Sequence, residues 1–318
     1  MTDLHIAVLG GGSVGLCLAA SFAAAGARVT LLVRATSVAA LQGQPLRVTG
    51  KLGDHCIPAG QIRIADAAAP DAASLSCDLL AVTTKAYDVG SALEPFAAQG
   101  ARPAVLLLQN GMGAAEIARA TLGPDAPIYS TAMMIGMVRH GPTEVEVSAQ
   151  SSPIQCGALL GDETGLLKRA IALAENGFVP IAYDAGIRET IAFKLLFNTC
   201  MNPTGALIGR TYGQLLENPH SRAFIAELAD ETLAAFAAAY AYRPARNGKE
   251  YVDDVLSGIV FPRAAGHRSS MVQDIEAGRR TEIDFLNGAV VDLARSVGQS
   301  APRHESIRAL IRARESAA

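Results

Sequence analysis

The chain has 318 residues, half of them hydrophobic, and a formal net charge of −3 at pH 7. This length predicts two domains, each with enough apolar residues for a core. The chain contains no dense Lys/Arg cluster, which argues against nucleic acid or an anionic membrane as the main partner. Five cysteines without a Cys-x-x-Cys pair and six histidines without ligand spacing predict a reduced, metal-free cytoplasmic protein.

Neither the N-terminal sequence nor the longest apolar stretch indicates a membrane protein. The N-terminal sequence lacks the basic start and apolar core of a signal peptide. The longest mostly apolar stretch, GLCLAASFAAAGA, is shorter than a membrane span. The sequence therefore predicts no membrane partner.

A glycine-rich turn lies between two apolar segments near the N-terminus. His5–Leu9 and Arg28–Val33 are predicted strands of a parallel sheet, because both are continuous apolar runs. The turn has the pattern Gly-x-Gly-x-x-Gly and opens a predicted helix, as in dinucleotide-binding proteins. A pyrophosphate is expected at the start of that helix. The predicted cofactor contacts in this turn are Gly10, Gly11, Gly12, Ser13, Val14 and Gly15.

Arg34, at the end of the second strand, indicates which dinucleotide is bound. NAD enzymes usually carry Asp or Glu at this place to bind the ribose 2′-hydroxyl. Here no acidic residue follows until Asp54. An arginine can pair with a 2′-phosphate, so NADPH is the predicted cofactor. The alternative is that Arg34 is an ordinary surface residue.

Two further predicted strands are followed by polar residues. Lys85 follows CDLLAVTT, and Asn110 follows PAVLLLQ. Ligands of open α/β sheets bind outside the carboxyl ends of the strands. Lys85 and Asn110 are therefore predicted to lie where the nicotinamide and the substrate meet.

The middle of the chain is predicted to continue the first sheet. Residues 129–165 alternate apolar and polar positions between Gly and Pro turns, which is typical of strands. A helix, LLKRAIALAENG, and a short strand, VPIAYD, follow. After Asp184 the strand patterns stop and five helical segments follow. We place the domain boundary between residues 185 and 186, with an α/β domain over 1–185 and an all-α domain over 186–318.

The helical segment IRETIAFKLLFNTCMN carries Lys194, Asn198 and Asn202 at intervals of four. Four residues advance a helix by about 400°, so the three side chains share one face. Asn is a poor helix former, and a solvated stripe would more often carry Glu, Lys, Gln or Arg. A thin solvent-facing stripe is nevertheless the alternative to a binding face. Pro203 is expected to end or kink the helix at Asn202.

The segment HRSSMVQDIEAGRRTEIDFLNG contains a predicted helix cap and an acidic residue. Ser269 or Ser270 can cap a helix, and Glu282 is predicted to begin a further helical face. Capping and surface exposure would explain these residues without any function. Sequence spacing cannot place Glu282 beside Lys194.

Taken together, these motifs resemble the ketopantoate reductase (2-dehydropantoate 2-reductase) family. The resemblance covers essentially the whole chain and rests on GGGSVG, VTTKAYD, QNGMG, FKLLFNTCMNP and SSMVQDIEAGRRTEID, in the family's order. It implies a Rossmann-type NADPH domain, an all-helical C-terminal domain and a substrate cleft between them. It also implies reduction of 2-dehydropantoate to pantoate, a step of pantothenate and coenzyme A biosynthesis. A homodimer is left open.

The resemblance also assigns roles to individual residues. It implies that Lys194 is the catalytic lysine and that Glu282 lies near both the lysine and the nicotinamide ribose. Substrate contacts are expected from Asn110, Asn198, Asn202 and Ser270, and cofactor contacts from Arg34, Lys85, Asn110 and Glu282. In this reading the Lys194 ammonium stabilises the charge that develops on a ketone oxygen and delivers the proton.

Tyr212 departs from the family pattern and leaves the substrate open. Members that act on ketopantoate often have Asn at this position, and Met137 stands near a position that is commonly Ala. One alternative is therefore a D-2-hydroxyacid dehydrogenase that uses NAD and another 2-keto acid. The other is a non-catalytic NADPH-binding regulatory protein.

Overall fold

The computed structural model describes residues 4–160, 165–260 and 264–316. Contacts between Cα atoms divide the chain into two compact units. The first comprises residues up to 109 together with 114–190, and the second comprises 110–113 together with 191 onward. The short loop 110–113 thus belongs by its contacts to the second unit.

The first unit is an α/β unit with two sheets. Its strands are β1 (His5–Leu9), β2 (Arg28–Val33), β3 (Leu46–Gly50), β4 (His55–Ile57), β5 (Ile62–Asp66), β6 (Leu79–Val82), β7 (Ala104–Leu107), β8 (Ile128–Ala132), β9 (Ile135–Arg139), β10 (Glu144–Gln150), β11 (Ile154–Leu160) and β12 (Ile181–Tyr183). Its helices are α1 (Ser13–Ala24), α2 (Ala35–Leu41), α3 (Ala72–Leu75), α4 (Val89–Ala98), α5 (Ala114–Leu122) and α6 (Gly165–Ala174), with a 3₁₀ turn over Ala86–Asp88.

The larger sheet has the order β12-β11-β8-β7-β6-β1-β2-β5. Neighbouring strands are parallel except for the antiparallel pair β8 and β11. The chain runs from β1 outward through β2 and β5 and then returns to β6 on the other side of β1. In such sheets ligands bind at this reversal point, outside the carboxyl ends of β1 and β6.

The continuous apolar sequence of β1 follows from its burial on both faces. Ile6 and Val8 pack into the core cluster on one side of the sheet, whereas Ala7 and Leu9 pack into a separate cluster on the other. Successive side chains of a strand point to opposite faces, so a strand covered by helices on both sides is mostly apolar. The buried His5 of β1 is the polar exception, and its Nε2 lies 2.9 Å from Oγ1 of Thr30 on β2. The predicted Rossmann-type fold of this unit is confirmed.

The prediction that residues 129–165 all extend the first sheet is wrong in part, and residues 161–164 lie outside the described ranges. β8 and β11 do join the larger sheet, but β9 and β10 pair with β3 and β4 in a separate sheet of order β4-β3-β10-β9. Alternation of apolar and polar residues predicts a strand with one covered face, yet it carries no information about the partner strand.

The second unit is helical within the described residues. Its helices are α7 (Ile187–Ile208), α8 (Tyr212–Glu217), α9 (Pro219–Tyr240), α10 (Gly248–Glu250, continued by π-helical turns over Tyr251–Val260), α11 (Ser270–Glu276), α12 (Asn287–Ser296) and α13 (Pro302–Ser316). The first turn of α7 belongs to the first unit by its contacts. No helix in the described ranges has the length and apolar composition that crossing a membrane requires.

The helix α7 does not end at Asn202, as one reading of Pro203 predicted, but continues to Ile208. Proline has no N–H, so the carbonyl of Thr199, four residues earlier, loses its helical hydrogen bond. The side-chain nitrogen of Asn287 donates to that carbonyl at 3.0 Å and takes the place of the lost donor. Asn287 also contacts Nδ1 of the fully buried His304 at 3.0 Å.

Candidate active site

Of the three glycines of the Gly-x-Gly-x-x-Gly pattern, one has open space beside it and two do not. A Cβ atom at Gly15 would lie 1.9 Å from the carbonyl oxygen of Gly10, and one at Gly10 would lie 2.6 Å from Oγ1 of Thr83. Gly10 also has a φ of +124°, which other residues rarely adopt. A Cβ atom at Gly12, in contrast, would meet no atom within 4 Å.

The start of α1 is suited to an anion. Its N-cap residue, Gly12, provides no side chain to accept from the first N–H groups of the helix. These groups, together with the positive end of the helix dipole, form a binding site for phosphate. The open space at Gly12 and the uncapped helix therefore fit the pyrophosphate of a dinucleotide.

Two arginines are associated with this region of the first unit. Arg34 is exposed and caps the start of α2 with its backbone. Its guanidinium has no hydrogen-bond or ion-pair partner among the residues that the structure describes. Arg139, at the end of β9, donates to the carbonyl oxygens of Gly11, Gly141 and Pro142 at 2.8–2.9 Å. Sequence reasoning missed Arg139, because 128 residues separate it from Gly11.

The loops after β6 and β7 are tied together by Gln109. Its side-chain nitrogen donates to the carbonyl oxygens of Val82 at 2.8 Å and Thr84 at 3.0 Å. This positions the partly buried Lys85, which caps the 3₁₀ turn after β6. Gln109 was also missed by the sequence analysis, although it lies within the QNGMG motif.

Asn110, next in the chain, belongs to the helical unit. The segment is held there by the backbone N–H of Met112, which donates to the carbonyl oxygen of Phe285 at 2.9 Å. A Cβ atom at Gly111 would lie only 2.1 Å from that same oxygen, and φ at Gly111 is +90°. Glycine is therefore required for this close approach.

Lys194, on α7, donates from Nζ to Oδ1 of Asn110 at 2.7 Å. Burial lowers the pKa of Lys194 to about 8, while the negative charge of Glu282 acts in the opposite direction and raises it. A desolvated ammonium beside a carboxylate is a group that can release a proton near neutral pH. The structure thus brings Lys194, Asn110 and Glu282 together, although 84 residues separate the first two.

The rest of the polar stripe on α7 is buried. Asn198 is 7% exposed and Asn202 is 5% exposed, so a solvated surface stripe is not what the structure contains. Oδ1 of Asn202 accepts a hydrogen bond of 2.8 Å from the hydroxyl of Tyr212. The side chain of Asn198 has no hydrogen-bond partner in the described part of the chain. A buried amide without a partner normally has a ligand or water to satisfy it.

The remaining sequence candidates are the possible helix caps Ser269 and Ser270 and the acidic residue Glu282. Ser269, not Ser270, caps α11, because its hydroxyl accepts from the backbone N–H of Val272 at 3.3 Å. Ser270 is the exposed first residue of the helix. The prediction that Glu282 begins a helical face is wrong: it lies in turns before α12, which begins at Asn287, and its carbonyl oxygen accepts from two backbone N–H groups there. Its side chain is buried.

No group of three or more His, Cys, Asp or Glu residues that could hold a metal ion occurs within the described ranges. The chain instead combines a Rossmann-type unit, whose first helix starts without a side-chain cap, with a helical unit that has a partly buried ammonium and two buried amides. This combination is the architecture of a nucleotide-dependent oxidoreductase.

The chain belongs to the ketopantoate reductase family. Residues 6–161 match the family model "Ketopantoate reductase PanE/ApbA", and residues 186–315 match "Ketopantoate reductase PanE/ApbA C terminal". A 2-dehydropantoate 2-reductase from Aquifex aeolicus is 28% identical over 311 residues, which cover 97% of this chain and 96% of that protein.

Solved structures share the fold over almost the full length. A 2-dehydropantoate 2-reductase from Geobacter metallireducens is 25% identical with a TM-score of 0.83, covering 97% of this chain and 99% of that chain. D-mandelate dehydrogenase in complex with NADH and anilino(oxo)acetate has a TM-score of 0.85 at 21% identity, covering 99% of both chains. At that identity the second similarity shows the fold alone.

Proposed function

We propose that this protein is an NADPH-dependent reductase that converts a 2-keto acid into a 2-hydroxy acid, with 2-dehydropantoate as the first candidate substrate. The observation that carries the proposal is the cluster of polar side chains on one face of α7. A lysine ammonium bonded to Asn110 lies on one helix face with two buried amides, Asn198 and Asn202. All three side chains offer N–H donors to the oxygen atoms of a keto acid.

The chemistry of this cluster suits carbonyl reduction. NADPH, when bound, supplies the hydride to the carbonyl carbon. The Lys194 ammonium stabilises the negative charge that develops on the carbonyl oxygen and then transfers its proton to that oxygen. Glu282 keeps the lysine protonated through its negative charge, and Asn110 orients the amine through its side-chain oxygen. Asn198 and Asn202 orient the substrate without adding charge.

The cofactor part of the proposal rests on the first unit. The space at Gly12 receives the pyrophosphate at the start of α1, and the exposed Arg34 pairs with the 2′-phosphate that distinguishes NADPH from NADH. Lys85 and Glu282 contribute further cofactor contacts, and Ser270 a contact to the substrate carboxylate. These three assignments rest on the resemblance to the family.

The test is NADPH oxidation, followed by absorbance, against a panel of 2-keto acids that includes 2-dehydropantoate. The control compounds are ketones of the same size without the carboxylate. Turnover of 2-keto acids but not of the control ketones is expected. A protein that binds NADPH but turns over no 2-keto acid would instead be the regulatory alternative.

The second candidate is a D-2-hydroxyacid dehydrogenase with another substrate. The specific observation in its favour is Tyr212, which is buried and bonded to Asn202. The same panel distinguishes the two candidates if each acid is assayed with NADPH and with NADH.

A further inference from the structure

The carbonyl groups of the glycine-rich turn accept hydrogen bonds from donors of the first unit. The hydroxyl of Thr83 donates to the carbonyl oxygen of Gly10 at 3.1 Å, and a backbone N–H in the first turn of α1 donates to that of Gly12 at 3.0 Å. Between them, the carbonyl oxygen of Gly11 accepts from Nη1 of Arg139 at 2.8 Å. The N–H groups of Gly11 and Gly12, in contrast, donate to no acceptor in the described part of the chain. These donors are left for a ligand.

Arg139 reaches the turn from the smaller sheet, whose strands β9 and β10 lie against α1. It is the last residue of β9, and its Nε and Nη2 donate to the carbonyl oxygens of Gly141 and Pro142 in the loop between β9 and β10. A guanidinium is planar and its donors have fixed directions, so these two bonds orient the third one, to Gly11. The position of the Arg139 side chain is therefore set by the protein itself.

The bond from Arg139 also orients the N–H of Gly12. The C=O of Gly11 and the N–H of Gly12 belong to one planar trans peptide, so they point in opposite directions. Because the oxygen is held by Arg139, the N–H points away from the guanidinium. A Cβ atom at Gly12 would meet no atom within 4 Å, so the space beside this residue is open. Glycine has no Cβ atom to restrict the backbone, so this peptide needs an outside contact to hold its orientation.

We propose that Arg139 is a positioning residue of the cofactor site, which holds the peptide between Gly11 and Gly12 in the orientation that donates to the pyrophosphate. The inference rests on the proposed function, which places the pyrophosphate at this turn. Arg139 acts through the Gly11 carbonyl, whereas Arg34 is proposed to pair with the 2′-phosphate directly. The smaller sheet then takes part in cofactor binding, because it holds Arg139 at the turn.

The experiment separates the two phosphate positions with two ligands. Adenosine 2′,5′-bisphosphate carries the 5′-phosphate that is part of the pyrophosphate in NADPH, and adenosine 2′-monophosphate lacks it. Calorimetry gives Kd for both ligands and for NADPH in the unmodified protein and in Arg139→Met, Arg34→Met and Arg28→Met. Arg28 is the matched control, because it is an exposed arginine of the same unit at the start of β2, whereas the turn follows the end of the neighbouring β1.

Arg139→Met should raise Kd for NADPH and for the bisphosphate by about 2- to 13-fold, the effect of one hydrogen bond of ordinary strength. Its Kd for the monophosphate should stay unchanged. Arg34→Met should raise Kd for both adenosine ligands by the same factor, and Arg28→Met should change neither. The effect of Arg139→Met should persist at about 0.5 M salt, which screens distant charges but does not remove a hydrogen bond. A partly unfolded sample does not alter these comparisons, because Kd refers to the folded protein.

Three results would overturn the inference. The first is a Kd for the bisphosphate that is the same in Arg139→Met as in Arg28→Met. The second is an equal rise in Kd for both adenosine ligands in Arg139→Met. The third is loss of the effect at about 0.5 M salt, because it would then come from the charge of Arg139 and not from the orientation of the peptide. Each leaves the proposed reductase activity intact, whereas a protein that binds no NADPH would reject the cofactor part of the proposed function itself.

Discussion

The glycine-rich turn of the first unit and the polar face of α7 are both candidate binding elements, but they are built differently. The turn consists of main-chain groups, and its shape depends on the absence of side chains at Gly10, Gly12 and Gly15. The α7 face consists of side chains whose charge and hydrogen bonding depend on distant partners, namely Asn110, Glu282 and Tyr212. Substitutions in the turn should therefore act by filling space, whereas substitutions on the α7 face should act by changing charge and hydrogen bonding.

The largest effect is expected on kcat, from substitution of Lys194 on α7. Lys194→Ala should lower kcat by about 10²–10⁴-fold, because a general acid contributes this much. NADPH affinity should hardly change, since the Gly-rich turn and Arg34 belong to the other unit. Lys249→Ala, which removes an exposed lysine of the same unit, is the control.

Glu282→Ala should also lower kcat, because the Glu282 charge favours the protonated form of Lys194. If the two residues act as a unit, the double variant should lose much less than the product of the two single losses. Steady-state kcat for the three variants, with NADPH binding measured separately, provides the test. Near-normal kcat in Lys194→Ala would remove it from the mechanism. Normal kcat together with lost NADPH binding would make it a cofactor residue.

The turn can be tested with two glycines that differ only in their surroundings. Gly15→Ala places a Cβ atom 1.9 Å from a backbone oxygen, so it should lower the free energy of unfolding by about 1–3 kcal/mol or more. Gly12→Ala meets no protein atom within 4 Å and should leave stability unchanged, yet weaken NADPH binding because the methyl group occupies the space for the pyrophosphate. Denaturant unfolding and NADPH titration measure the two quantities. Unchanged NADPH affinity in Gly12→Ala would contradict the proposed position of the cofactor.

A smaller effect is expected at Arg34. A charge-assisted pair with the 2′-phosphate contributes about 1.5–3 kcal/mol, or roughly a 10- to 150-fold preference for NADPH over NADH. Arg34→Asp should erase or invert this preference, whereas Arg119→Asp, at an exposed position on α5, should not. The ratio of kcat/KM for the two cofactors is the measurement. Equal use of both by the unmodified protein would reject the assignment.

The same contrast explains what could be predicted from the sequence. The glycine-rich turn and its flanking strands are local features, so glycine spacing and the continuous apolar runs were sufficient to predict β1, α1 and β2. The continuation of α7 past Pro203 depends on Asn287, a partner 88 residues from Thr199, and no local pattern reveals it. The separate pairing of β9 and β10 likewise depends on β3, far earlier in the chain.

In the candidate site, too, local spacing predicted some features, whereas contacts from distant segments were not predicted. The spacing of Lys194, Asn198 and Asn202 predicted a shared helix face, and α7 contains all three. The contacts of that face, Asn110 and Tyr212, come from other segments, so the spacing within α7 could not predict them. Arg139 and Gln109 were missed because they act through backbone carbonyls, which no side-chain motif records. The cofactor and substrate roles of these residues, and the domain boundary between 185 and 186, stay predictions.

The pH dependence of kcat/KM for keto acid reduction tests the central claim most directly. Burial lowers the pKa of Lys194 to about 8, so the ammonium is present below that pH and is lost above it. Reduction needs the protonated form, and kcat/KM should therefore be level below about pH 8 and fall about tenfold per pH unit above it. Glu282→Gln should move the midpoint to lower pH, because the carboxylate raises the lysine pKa. In Lys194→Ala the remaining activity should show no such fall. The same fall in Lys194→Ala as in the unmodified protein would contradict the account.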